Sequence, residues 1–158
     1  MTRILLWGVA LFALVALCTK NVRAETNCTG FGNEPFALKL TPSEIYVVDG
    51  DTIKQRFGCE NLRFSDMDAP DTNGHEKCHD EGLLGSKSET QLWDMVRAAK
   101  TAEFRYDGKR DNYHRPLGVL ILDGKPVRDT LIKDGFACPA ADPIKEDWCA
   151  KPFKCRAS

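Results

Sequence analysis

The sequence predicts one small α+β domain that is mainly β, built as a β-barrel with a helix plugging it. Short runs of β-branched and aromatic residues, broken by turn residues, dominate the first half of the domain. Helical periodicity is confined to one long and one short segment. There is no internal repeat and no linker long enough to separate two domains. Regular alternation of strands and helices, which a βαβ sheet requires, is missing from this pattern.

Four strands are predicted before the long helix and two after it. The long helix is predicted from about Leu83 to Ala99, because apolar and small residues recur there at helical spacing. A short helix is predicted from about Val127 to Asp134, and Gly135 follows it as the usual residue past a helix C-terminus. The predicted strands are Phe36 to Leu40, Ile45 to Val48, Thr52 to Phe57, Leu62 to Phe64, Thr101 to Tyr106 and Leu117 to Leu122.

Residues 1–24 have the pattern of a cleaved signal peptide. Arg3 precedes an apolar run from Ile4 to Cys18, and Ala24 offers a small residue at the cleavage point. The run has 15 residues, short of the roughly 20 that span a bilayer, so a membrane anchor is the weaker alternative. We expect a secreted or periplasmic monomer with no stable membrane association after cleavage.

Charge and cysteine content restrict the function further. Loss of residues 1–24 would leave 19 basic against 23 acidic residues, a net charge of −4. A protein that simply coats nucleic acid is expected to be strongly basic, so any such partner must be held by a local patch or through a metal ion. Six cysteines would remain, and an even count in an exported chain indicates disulfides, although 15 pairings are open. These disulfide candidates are Cys28, Cys59, Cys78, Cys138, Cys149 and Cys155.

The stretch Val47-Val-Asp-Gly-Asp-Thr-Ile53 contains an acid that a hairpin does not require. Asp49-Gly50 between β-branched runs is a strong hairpin signal. Asp51 would then start a strand, where aspartate has poor β-propensity. Two later stretches are also rich in charge, Arg63 to Thr72 with three acids and the hairpin loop Asp107 to Pro116. Taken singly, each of these two is an ordinary solvated loop.

Together the three stretches resemble the staphylococcal nuclease (thermonuclease) family. They read Asp-Gly-Asp-Thr, then Arg-x4-Asp-Ala-Pro-Asp, then Asp-x-Tyr-x-Arg-Pro-Leu, in the family's order, and the resemblance runs from about Ser43 to Ala137. It implies a five-stranded OB-fold barrel with two to three helices. It also implies a Ca²⁺-dependent endonuclease that cuts DNA and RNA and leaves 3′-phosphates. The expected organisation is a signal peptide (1–24), a leader (25–42), the nuclease-like domain (43–137) and a cysteine-containing tail (138–158).

The resemblance assigns the metal to Asp51 and Asp68. Ca²⁺ prefers hard oxygen ligands, including backbone carbonyls, so Ala69 fits a third position through its C=O. A metal carboxylate at Asp51 would explain the acid that the hairpin does not require.

The resemblance assigns the catalytic step to Arg63, Arg115 and Asp71. Planar guanidinium groups suit the equatorial oxygens of a five-coordinate phosphate. Asp71 matches a position where the family carries glutamate, which orients or deprotonates the attacking water. Tyr113 matches a tyrosine that contacts the phosphate of the substrate.

The chain departs from the family at two points. Asp71 is one methylene shorter than glutamate, and a shortfall of about 1 Å can cost on the order of 100-fold in rate. The tail lacks the prototype's base-stacking tyrosines and long last helix, and instead resembles the tails of exported bacterial members. Our preferred disulfide joins Cys78 to Cys149. Two alternatives stay open: a nucleic-acid-binding module that has lost catalysis, and a disulfide-tied structural or inhibitory protein.

Overall fold

The computed structural model describes residues 31–56, 58–140, 146–151 and 153–155. Over these ranges the chain forms nine β-strands and two α-helices. The helices are α1 (His79–Ala98) and α2 (Val127–Lys133). The strands are β1 (Phe36–Leu40), β2 (Ile45–Asp49), β3 (Thr52–Gln55), β4 (Asn61–Phe64), β5 (Met67–Asp68), β6 (Ala102–Arg110), β7 (Pro116–Leu122), β8 (Lys125–Pro126) and β9 (Cys138–Pro139).

Seven strands form one sheet in the order β1-β6-β7-β4-β3-β2, with β8 paired to β7. Neighbouring strands are antiparallel except for β4 and β7, which are parallel. Among the described residues no pairing joins β1 to β2, so the sheet curves without closing. The α+β, mainly β class with two helices is confirmed, whereas the sheet is open and has seven strands instead of five.

The predicted elements are found with shifted ends. α1 begins at His79, four residues before the predicted start, because its first turn is polar and carries Asp80 and Glu81. Acids suit the N-terminus of a helix, but they do not add to an apolar periodicity. β6 continues to Arg110 through a register shift after Tyr106, so the charged stretch that reads as a loop is the arm of a hairpin.

Both ends of the described domain pair with other strands, one in the seven-stranded sheet and one in a separate two-stranded sheet. β1, which lies in the expected leader, pairs with β6, and β9, at the start of the tail, pairs with β5. Disulfides join Cys78 to Cys149, as predicted, and Cys138 to Cys155. Cys59 is also disulfide-bonded, whereas Cys28 and the signal segment lie outside the described residues. No helix in the described ranges has the length and apolar character to cross a membrane.

The core lies between the inner face of the sheet and α1. Leu92 and Val96 of α1 meet Ile53, Phe64 and other apolar side chains from the strands, and these residues are almost wholly buried. Two glycines allow the close approach. A Cβ on Gly85 of α1 would lie 2.5 Å from the carbonyl oxygen of Asp71, and a Cβ on Gly50 would lie 2.1 Å from Oγ of Ser88. α1 is therefore packed directly onto both loops that carry the candidate metal residues.

Candidate active site

Asp51 lies in the turn between β2 and β3 and is almost fully buried. The strands pair Asp49 with Thr52, so Gly50 and Asp51 form the two-residue turn and Asp51 does not begin a strand. Asp49 accepts a hydrogen bond from the backbone N–H of Asp51 at 3.0 Å. Oδ2 of Asp51 accepts the N–H of Ala69 at 2.8 Å, and Oδ1 accepts the hydroxyl of Thr52 at 3.0 Å. These bonds fix the carboxylate at one rotamer.

Arg63, on β4, bridges the two predicted metal carboxylates. Its Nη1 donates to Oδ1 of Asp51, and its Nη2 donates to Oδ1 of Asp68 at 2.8 Å. All three side chains are largely buried, so these ion pairs are screened little by water. Four of the residues predicted from the sequence, Asp51, Arg63, Asp68 and Ala69, thus form one connected cluster.

The cluster carries more negative than positive charge. Burial raises the pKa of Asp51 to about 8, against the opposing effect of Arg63, and the neighbouring Asp49 raises it further. Arg63 thus offsets only part of the cost of burying a charge on Asp51, and the cluster has three carboxyl groups, those of Asp49, Asp51 and Asp68, against one guanidinium. A divalent cation would relieve this excess, and the donors are the hard oxygens that Ca²⁺ prefers. The residues present therefore fit the expected metal.

Asp68 is held from its other side by the tail. Its Oδ2 accepts the backbone N–H of Glu146 at 3.2 Å, and Asp68 pairs with Cys138 across β5 and β9. Glu146 lies three residues before Cys149, whose disulfide anchors it to Cys78 at the start of α1. The tail thus reaches a predicted metal carboxylate through the backbone N–H of Glu146.

Asp71 lies in the loop beside this cluster and is half-buried. Its backbone N–H donates to Oε1 of Glu81 at 3.5 Å, and Oε2 of Glu81 accepts the N–H of Lys77 at 2.6 Å. Glu81 is buried against the Cys78–Cys149 bridge. Cys78, Glu81 and Cys149 lie close enough to hold a metal ion. Because disulfide-bonded sulfurs are not thiolates, however, these residues do not form a cysteine metal site in the oxidised chain. Glu81 instead fixes the path of the loop that presents Asp71.

Arg115 and Tyr113 lie on the hairpin loop between β6 and β7. Nε of Arg115 donates to Oδ2 of Asp111 at 2.6 Å, and its guanidinium lies 5.4 Å from the ring centre of Tyr113. Partial burial raises the pKa of Asp111, but hydrogen bonds from the backbone and side chain of Arg115 outweigh it and lower that pKa overall. Tyr113 is 81% exposed, so its phenol is open to a ligand.

The sheet register places Arg63, on β4, beside β7, the strand that Arg115 immediately precedes. Arg63 pairs with Thr52 on one side and with Leu117, on the parallel strand β7, on the other. Arg115 lies two residues before Leu117, at a rise of about 3.3 Å per residue. The described hydrogen bonds and ion pairs of Arg115 link it to Asp111 and not to the carboxylate cluster. A phosphate between the two arginines would join the two halves of the site.

Comparison with known proteins identifies the family of the chain. The family model described as "Staphylococcal nuclease homologue" matches residues 61–150, more than half of the chain. The chain belongs to the staphylococcal nuclease family. The open, mainly β sheet with two helices is consistent with the OB-like fold of that family.

Two curated relatives in Bacillus subtilis (strain 168) share the family region. The chain is 33% identical over 93 residues to SPbeta prophage-derived endonuclease YokF, covering 57% of this chain and 31% of that relative. It is 32% identical over 93 residues to Endonuclease YncB, covering 57% of this chain and 43% of that relative. The chain therefore spans less than half the length of either one.

Sequence reasoning misses the residues that hold the site in place. From the sequence, Glu81 is an ordinary acid in the first turn of a helix, and its burial depends on tertiary contacts with the loop of Asp71 and with the Cys78–Cys149 bridge. In the sequence, Asp111 is only one residue of a motif. Its position four residues before Arg115 is, however, a signal for an ion pair between the two. The backbone of Glu146 gives no sequence signal.

Proposed function

We propose that the protein is a Ca²⁺-dependent endonuclease that hydrolyses phosphodiester bonds of DNA and RNA. The observation that carries this proposal is the buried cluster in which Arg63 bridges Asp51 and Asp68, with Asp71 on the adjoining loop. A buried cluster with excess negative charge is an unfavourable structural element. It is explained if a cation and a phosphate complete it.

Ca²⁺ would be held by the carboxylates of Asp51 and Asp68 and by the C=O of Ala69. When bound, the ion would neutralise charge on the phosphodiester. The described contacts of Arg63 to these carboxylates use two of its five N–H donors. The remaining donors can bind an equatorial oxygen of the reacting phosphate, where charge develops during hydrolysis.

The other residues take roles in the same step. Arg115 binds a second equatorial oxygen from the β6–β7 loop, and Asp111 keeps its guanidinium in place. Asp71 orients or deprotonates the attacking water, and Glu81 holds the loop that presents it. Tyr113 donates its phenol to a phosphate oxygen of the substrate.

An inactive or weak nucleic-acid-binding module of the same fold is the second candidate. The observation that favours it is Asp71, which is shorter than the expected glutamate. A pure binder, however, has no need for two buried carboxylates around one arginine. Disulfides at Cys78, Cys138 and their partners are compatible with a secreted or periplasmic protein, because such bonds persist in oxidising compartments.

One experiment tests the function directly. The purified, oxidised chain is incubated with plasmid DNA and with RNA, in Ca²⁺ and in chelator. We expect cleavage of both in Ca²⁺ and none in chelator. Arg63→Ala, purified in the same way, controls for a contaminating nuclease. Binding of the nucleic acids without cleavage in Ca²⁺ would favour the second candidate instead.

A further inference from the structure

A groove of about 690 Å³ lies outside the site described above. It is formed by the turn that precedes β2, by β2 itself and by the C-terminal end of α1. Its volume falls within the roughly 300–1,000 Å³ of typical ligand sites. Its lining includes two aromatic rings, Tyr46 and Trp93, and three cations, Arg56, Arg97 and Lys100, but no acid.

Tyr46 is the unusual residue of this groove. Its side chain is 57% exposed although it is large and mostly apolar. Trp93 packs edge-on against it, with ring centres 5.8 Å apart and planes at 90°. Such a contact restricts the orientation of the Tyr46 ring, and the exposure of this side chain leaves much of the ring open to solvent. A fixed, exposed aromatic face is what an unpaired base stacks on.

The three cations give the groove a local charge opposite to that of the whole chain. Arg56, Arg97 and Lys100 are all exposed. Acids nearby do not line the groove: Asp94 pairs with Arg97, Asp123 accepts the backbone N–H of Lys100, and Glu44 lies on the turn between the lining residues Ser43 and Ile45. An acidic chain that binds nucleic acid needs a local basic patch of this kind.

We propose that this groove binds an unpaired segment of single-stranded nucleic acid. The cations would contact its phosphates and Tyr46 would stack on a base. The proposal rests on the proposed function, because it takes the same polymer as the substrate of the active site. Ser88, which packs on Gly50 beside Asp51, precedes Val96 in the groove by eight residues, about 12 Å along α1. That distance is short enough for one strand to reach both places.

The test measures binding without cleavage. Fluorescence anisotropy of a short fluorescein-labelled oligothymidylate is recorded in chelator with the full oxidised chain. Tyr46→Ala should weaken binding by about tenfold, the size expected when one base no longer stacks. Arg56→Gln combined with Lys100→Gln should lower the slope of log affinity against log salt by ~0.7 for each phosphate that is no longer neutralised. Lys133→Gln, an exposed cation on α2 outside the groove, is the matched control.

The outcomes are distinct for the two proposals. The proposal that the groove binds nucleic acid would be overturned if wild type and all three variants had equal affinity for the oligothymidylate and equal slopes of log affinity against log salt. Tighter binding of an acidic peptide than of the oligothymidylate, weakened by the same variants, would also overturn it and point to a protein partner. Equal preference for duplex and single strand would contradict base stacking. Failure of the wild type to cut the oligothymidylate in Ca²⁺, with normal groove binding, would refute only the proposed function.

Discussion

Arg63 and Asp51 form a buried ion pair that joins β4 to the turn between β2 and β3. Arg63, which is predicted to bind the phosphate, is therefore paired with Asp51, which is predicted to bind the metal. The guanidinium partly neutralises the carboxylate, and it also takes up one of the oxygens that a metal would use. Metal binding and phosphate binding are expected to be coupled through this pair.

The first prediction concerns Ca²⁺ binding. Asp51→Asn and Asp68→Asn each keep the shape of the side chain but remove a negative charge, so each should weaken Ca²⁺ binding. Because even outer-shell partners of a metal change its affinity by about 10–100-fold, the decrease should be at least that large. Isothermal titration calorimetry with Ca²⁺ measures it.

Asp129→Asn is the control for this titration, because Asp129 lies on α2 with an exposed carboxylate. Thermal unfolding in chelator confirms that each variant is folded before titration. Unchanged Ca²⁺ affinity in both site variants would rule out the site.

The second prediction concerns the two arginines. Arg63→Lys and Arg115→Lys keep the charge but remove the planar, two-pronged donor. If the arginines act mainly in the transition state, kcat should fall on the order of 100-fold or more while KM changes little. Steady-state cleavage of an oligonucleotide in Ca²⁺ measures both. Arg105→Lys, an exposed pair partner of Glu103 on β6, should change neither.

The third prediction concerns the reach of Asp71. If the short side chain limits the native enzyme, Asp71→Glu should raise kcat, by up to about 100-fold if the shortfall is ~1 Å. If the loop held by Glu81 has already moved to compensate, the longer side chain should lower kcat. Asp71→Ala should remove most activity in either case. Normal kcat in Asp71→Ala would show that another group handles the water.

The fourth prediction tests the packing of α1 on the loop of Asp71. Gly85→Ala gains helix propensity of about 1 kcal/mol, but its Cβ would lie 2.5 Å from the carbonyl oxygen of Asp71. The clash involves backbone, so we expect a net decrease in stability, with overpacking costing about 1–3 kcal/mol, and a fall in kcat. Denaturant unfolding and cleavage assays measure the two effects.

Gly82→Ala is the matched control for this substitution. A Cβ on Gly82 meets only the exposed side chain of Glu76, at 3.0 Å, and that side chain can move. Gly82→Ala should therefore be neutral or stabilising and leave kcat unchanged. Equal effects of the two alanines would mean that the close approach at Gly85 does not position Asp71.

The fifth prediction concerns the bridge between Cys78 and Cys149. Replacing both cysteines by serine should lower the free energy of unfolding by about 2–5 kcal/mol. It should also weaken Ca²⁺ binding, because the tail no longer holds the N–H of Glu146 against Asp68. Calorimetry at a temperature where circular dichroism shows the variant folded separates the two effects. Unchanged Ca²⁺ affinity in the folded variant would show that the tail only stabilises the fold.

The fold and the centre of the site can be predicted because their signals are local. Asp-Gly between β-branched runs marks the turn that carries Asp51, and the apolar spacing around Leu92 marks α1. The predicted start of α1 lies four residues after the observed one, because the first turn of α1 is polar and does not contribute to the apolar periodicity. The open sheet could not be predicted, because closure depends on pairing between β1 and β2, which no short motif encodes.

The supporting contacts of the site depend on residues far apart in the chain. Glu81 is buried between the loop of Asp71 and the Cys78–Cys149 bridge, and Asp68 meets Glu146 across a separation of 78 residues. The residues next to Glu81 and Glu146 in the sequence give no pattern that predicts these contacts. Pattern reasoning therefore names the candidate site residues and misses the contacts that hold them in place.

If the chain is exported, the contact between the tail and Asp68 would also fix when the site is completed. In a reducing cytoplasm the Cys78–Cys149 bond does not persist, and the tail segment whose Glu146 N–H holds Asp68 is no longer anchored to α1. For an exported chain, the proposed nuclease would then be completed only after it has left the compartment that contains the genome of the cell that made it. The Cys78–Cys149 bond would then stabilise the enzyme outside the cell, and its absence in the cytoplasm would protect the cell that makes the enzyme.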